Sequence, residues 1–198
     1  FSRWTQGLEG SIARQHIDLL PAEREWIKAN PVVTVVSQQY PLYTFRNAMG
    51  EWEGLSIDIL ARISRMTGLQ FVHEESFSTA QTLGLLKSGR GQMNATLSIS
   101  PERKEFLNFT YSYGGAPWVF IVRTHDSRLG SLEQLSGKVL ALPARHALEA
   151  MIRRDHPEIE VHTVASFDQA RSLVEKGEAD ATIQSETQAY LYPPGRLK

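Results

Sequence analysis

Two periodicities alternate along the chain. Leu55, Ile59, Leu60, Ile63 and Met66 recur at helical spacing and Gly68 stands where a left-handed cap belongs, so the pattern predicts a helix over residues 55–67. The β-branched run at 32–36 predicts a strand, and Pro21, early acidic residues and Asn30-Pro31 predict a short helix over 20–30 ahead of it. Strands are predicted at 69–73 and 92–97, a helix at 79–87 and a sharp helix start at 100–105. The turn-rich aromatic stretch 37–54 reads as a long loop over a pocket. After Gly114-Gly115 the apolar run 116–122 predicts a strand leaving this unit. The alternation then restarts, with strands at 138–142, 159–164 and 179–183, helices at 147–154 and 167–176, and a helical turn at 187–191 before Pro193-Pro194. The element order repeats while the sequence does not. Such alternation predicts an α/β protein with mostly parallel sheets flanked by helices, and ligands at the carboxyl ends of strands.

At 198 residues the chain has room for one domain or two small lobes. With 41% hydrophobic and 22% charged residues it is neither disordered nor fibrous. Lys+Arg 21 against Asp+Glu 22, without a basic run, argues against nucleic acid as a partner. The absence of cysteine removes disulfides, thiolate zinc sites and cysteine nucleophiles. His73 with Glu74 and Glu75, and His156 with His162, read as solvated side chains, so neither a metal nor a cofactor is expected. No apolar run approaches the roughly 18 residues of a membrane span. The opening, Phe1 onward without a leader pattern, reads as a piece cut from something longer. Gly54 to Asp58 lacks the closing glycine of a nucleophile elbow, and neither Gly89-Arg90-Gly91 nor Gly137-Lys138 completes a nucleotide loop. Trp118 and Phe120, in the apolar run, read as core.

Ser98-Ile99-Ser100-Pro101-Glu102-Arg103 carries the most chemistry. Ser100 suits an N-cap and Pro101 the first helical position, which points free N–H groups, two hydroxyls and the Arg103 guanidinium toward one place. That combination suits a carboxylate. An ordinary capped helix with a surface arginine is the simpler alternative.

Five segments together resemble periplasmic solute-binding proteins of the polar-amino-acid type: Tyr40 to Phe45, Gly54 to Leu60, Leu86 to Gly89, Ser98 to Arg103 and Leu132 to Lys138. Glu178 to Ala181 resembles their closing strand. The resemblance implies a two-lobed Venus flytrap fold. The stretch from Leu19 to Val36 resembles the approach to the first strand in flytrap modules of BvgS/EvgS-type sensor histidine kinases, and Arg3-Trp4 resembles the tail of a preceding module. The implied organisation is a tail over 1–19, a lead-in helix and first lobe over 20–115, a second lobe over 116–192, and the start of a return crossover at 193–198 with the remainder absent.

The resemblance places Arg103, Ser98 and Ser100 on a ligand carboxylate, Tyr40 and Tyr43 on an aromatic wall, and Ala95 and Thr96 beside the ligand, with Phe77 a further candidate to line the site. Arg145, His146, Gln184, Ser185 and Glu186 would face it from the second lobe. Ser185 stands where amino-acid binders place the Asp that pairs an ammonium, which points to a small carboxylate rather than a zwitterion, with Glu186 as the route back to an amino acid. The implied partners are a small-molecule anion or amino acid, an adjacent flytrap module and a membrane-anchored kinase in the same chain, with a homodimer formed through that parent protein. The implied location is the periplasm. A free binding protein of an ABC importer, and a flytrap-fold dehydratase using His146 or Glu186, remain the alternatives.

Overall fold

The computed structural model describes residues 17–126, 128–192 and 195–198; the Arg3-Trp4 tail and Pro193-Pro194 lie outside them. Helix α1 (Pro21–Ala29) begins on its proline, with the Leu20 N–H donating to Glu23 at 2.7 Å, and none of its residues is buried. Strand β1 (Val32–Gln38) follows, then the antiparallel pair β2 (Phe45–Arg46) and β3 (Trp52–Glu53), helix α2 (Leu55–Thr67), strand β4 (Gln70–Ser76) and helix α3 (Thr79–Lys87). β1 and β4 pair in parallel from Val32↔Gln70 to Gln38↔Ser76.

Two expectations fail here. The stretch 37–54 is not all loop: Asn47 Oδ1 accepts the N–H groups of Met49 and Glu51, both at 2.9 Å, and this side-chain turn brings Arg46 opposite Trp52. Residues 92–97 form no strand, only a bridge at Met93 to Val35, and side chains take two of the ladder positions beside it. Gln92 Oε1 accepts from the Thr34 N–H at 2.7 Å, and the Asn94 amide donates to the Val36 carbonyl at 2.8 Å. A four-residue helix, α4 (Pro101–Lys104), comes next, with the Ser100 hydroxyl accepting from the Arg103 N–H.

The second lobe holds β5 (Trp118–Val122), a 3-10 turn at Glu133–Leu135, β6 (Val139–Pro143), α5 (Glu149–Asp155), β7 (Glu160–Val164), α6 (Phe167–Lys176), β8 (Ala181–Ser185) and α7 (Glu186–Ala189). Its sheet order is β5-β8-β6-β7, parallel except where β5 meets β8. Leu197 pairs antiparallel with Arg123, so the last described residues run back along β5. Leu135, Leu140, Leu142 and Ile152 are fully buried in the core beneath this sheet.

Gly54 fixes the start of α2. Its φ of +119° lets Leu55 and Ser56 donate to the Leu42 and Tyr43 carbonyls, and an added Cβ would lie 2.5 Å from the Tyr43 oxygen. Gly54→Ala should therefore cost about 2–3 kcal/mol in denaturant unfolding. Gly68→Ala, at a φ of +82° with open space around it, should cost only about 1 kcal/mol.

Candidate functional site

A cleft of about 490 Å³ separates the two lobes. Its walls are the carboxyl ends of the parallel strands, where side chains leave the sheets and meet helix starts. Gln38 and Ser76 end β1 and β4; His146 follows β6, Ser166 and Phe167 follow β7, and Gln184 is next to last in β8.

Arg103 is the central charge. It is 5% exposed, its Nη1 donates to the Ser98 carbonyl at 2.7 Å, and its Nη2 crosses the cleft to the Arg145 carbonyl at 2.9 Å. None of the ion pairs among the described residues includes it. Burial lowers the guanidinium to about 10, and Glu102 offsets only part of that, so it stays cationic at neutral pH. The opposing carbonyl is presented by a strained turn: Arg145 has a φ of +65°, and its N–H donates to Glu149 at 2.8 Å. Two more bonds join the lobes. The Tyr40 and Ser185 hydroxyls lie 2.6 Å apart, and the Gln188 amide donates to the Pro41 carbonyl at 2.8 Å.

His146, 7% exposed, is held between the rings of Trp118 and Phe167, with centroids 4.7 and 5.8 Å away. Its Nδ1 accepts from the Leu148 N–H at 3.2 Å, while its buried Nε2 has no protein partner. Beside it Arg171 donates to Gln184 Oε1 at 3.0 Å and lies 3.6 Å from the centre of the Tyr192 ring, whose hydroxyl donates to Asp168.

Of the residues expected in the site, Arg103, Ser98, Thr96, Tyr40, Phe77, His146 and Gln184 line this cleft. Tyr43, Ala95 and Ser185 line instead a second hollow of about 650 Å³, floored by Ile59, Leu60 and Ile63 of the first lobe and sharing Tyr40, Thr96, Ser98 and Trp118 with the cleft. Tyr43 accepts from the Gly115 N–H at the joint between lobes. Ser100, Arg145 and Glu186 line neither hollow. Ser100 is spent as the cap of α4, the Arg145 side chain is exposed while its carbonyl meets Arg103, and Glu186 accepts from Tyr190. Trp118, Phe167, Asp168 and Tyr192 line the cleft without having been anticipated. The one available signal was the Ser166 cap after a strand, which marks a helix start at a strand's carboxyl end. Among the described residues no cluster of three His or carboxylates could hold a metal; His73 is half-buried against Ser37 at 2.8 Å rather than solvated.

Burial, then the nearby Arg103 charge, hold the His146 imidazole down at about 4 against an ordinary 6.5. Between those values the unfolded chain binds a proton that the folded chain does not, so stability is lost as pH falls from 6.5 toward 4. The loss should reach about 2 kcal/mol near pH 5. Denaturant unfolding across that range should show a slope that His146→Phe flattens.

Comparison with known proteins agrees with this architecture. The virulence sensor protein BvgS of Bordetella pertussis is 26% identical over 191 residues, 96% of this chain and 15% of the relative's length. The sensor protein EvgS of Escherichia coli K12 is 25% identical over 171 residues, 86% of this chain and 14% of EvgS. The chain thus spans about one seventh of these relatives. The crystal structure of the B. pertussis BvgS periplasmic domain superposes with a TM-score of 0.83 at 26% identity, over 98% of this chain and 39% of that one. That of the BvgS periplasmic VFT2 domain gives 0.79 at 25% identity, over 92% and 80%. The sequence pattern of one family covers residues 32–184, from the first strand to the cleft end of β8. The chain belongs to the bacterial extracellular solute-binding proteins, family 3.

Proposed function

We propose that this chain is an extracytoplasmic ligand-sensing module of a sensor histidine kinase, binding a small carboxylate-bearing solute between its lobes and signalling by their opening and closure. The likeness to BvgS and EvgS supports the parent. Among the described residues no helix is long and apolar enough to cross a membrane. The lobes of this reading extend over 20–115 and 116–192, after a tail at 1–19 and before a return crossover from 193.

The buried Arg103 guanidinium, neutralised by no carboxylate among the described residues, carries the ligand assignment. A desolvated cation satisfied only by carbonyls gains most from an anion. Because its Nη2 also bonds the Arg145 carbonyl, an anion seated there acts directly on a contact between lobes, which is the differential interaction a conformational signal requires. A zwitterionic amino acid fits less well: the Ser185 hydroxyl is paired with Tyr40, Glu186 does not reach the cleft, and Asp168, the carboxylate that does, is exposed and already accepts from Tyr192.

Arg103→Ala should weaken binding of the carboxylate by about 1.5–3 kcal/mol in calorimetry. A thermal-shift screen of α-amino acids against their deaminated analogues tests the ligand class. Stabilisation by the simple acids is expected; saturable stabilisation by an amino acid, with none by its deaminated analogue, would overturn the assignment.

A further inference from the structure

We infer that His146 is a specificity-determining hydrogen-bond donor, and that the solute it selects is a small acid bearing a second oxygen acceptor, a ketone, hydroxyl or further carboxylate, beyond the carboxylate held by Arg103. The inference rests on the carboxylate reading of the cleft. It follows from which polar atoms of the second lobe's wall remain free. Nδ1 of His146 is taken by the Leu148 N–H, so the neutral ring carries its proton on Nε2. The ring is part of the cleft wall, and its Nε2 is buried with no protein partner. Trp118 and Phe167 hold the ring on two sides, so it cannot swing out to water.

A buried donor left unmade is a cost that an acceptor on the ligand removes. On the same wall Gln184 Oε1 already receives Arg171, and exposed Asp168 receives Tyr192 through Oδ1. The inferred ligand meets the Arg103 guanidinium from one lobe and the His146 N–H from the other. A ligand that answers both must present oxygen acceptors at both places. An ammonium at the His146 position would set donor against donor.

Calorimetry with matched probes tests this: propionate against pyruvate, butyrate against succinate, and alanine. At least one two-acceptor acid should bind about tenfold more tightly than its partner. His146→Phe, which keeps the ring packing without the donor, should erase that preference, and His146→Gln, which restores a donor, should recover much of it. In the unmodified chain, the His146 Nε2–H resonance should shift saturably with the preferred acid, a readout independent of how the variants fold. Equal binding of both members of each pair, a preference that survives His146→Phe, or an Nε2–H resonance indifferent to the acid would overturn the role of His146 while leaving the carboxylate reading standing. Failure of all four acids to bind, or binding of alanine alone, would overturn both.

Discussion

A guanidinium with almost no contact with water organises this molecule. Moving a full charge out of solvent is costly unless its donors are matched, and Arg103 is matched by carbonyls of both lobes. The short helix α4 exists to deliver it: Ser100 caps the helix, Pro101 begins it, and the arginine leaves its first turn at the mouth of the cleft. Carbonyls satisfy hydrogen bonds but carry no net charge. The arrangement is stable as a fold and incomplete as electrostatics, and the proposed anion between the lobes would complete it.

The second lobe answers this charge with rigidity. Arg145 sits in the left-handed region, a conformation that costs a non-glycine residue about 1–2 kcal/mol and persists only where its surroundings enforce it. Here the Glu149 carboxylate accepting its N–H, and the turn from β6 toward α5, hold its carbonyl in place. His146, the next residue, is fixed by two aromatic rings and a backbone N–H. The two polar groups that address the cleft from this loop are thus set before any ligand arrives, which lowers the ordering cost of binding.

Local chemistry explains which parts of the fold were legible in the sequence. The helices Leu55–Thr67, Thr79–Lys87 and Phe167–Lys176 match their expected bounds because their signals are local: apolar spacing, the Ser78 and Ser166 caps, and the Gly68 and Gly177 stops. The hairpin at β2 and β3 and the missing strand at 92–97 were illegible because Asn47, Gln92 and Asn94 use side-chain amides where a backbone pattern was assumed. In the cleft, Arg103 and Ser98 could be placed from a helix start at a strand's end, and His146 only through the resemblance to solute-binding proteins. Trp118 could not: in an apolar run it looks like core, and only the antiparallel pairing of β5 with β8 turns it toward His146. Tyr43 is engaged by Gly115 at the joint and Ser185 by Tyr40 of the other lobe, contacts that no local pattern encodes.

The central claim is that Arg103 is the buried anion receptor between the lobes. Titrating the isotope-labelled chain with acetate while following arginine Nε–H resonances tests it most directly. The Arg103 resonance should move along a saturating curve that the exposed arginines do not share. An Arg103 resonance that stays fixed, or drifts linearly with the exposed ones, would contradict the account.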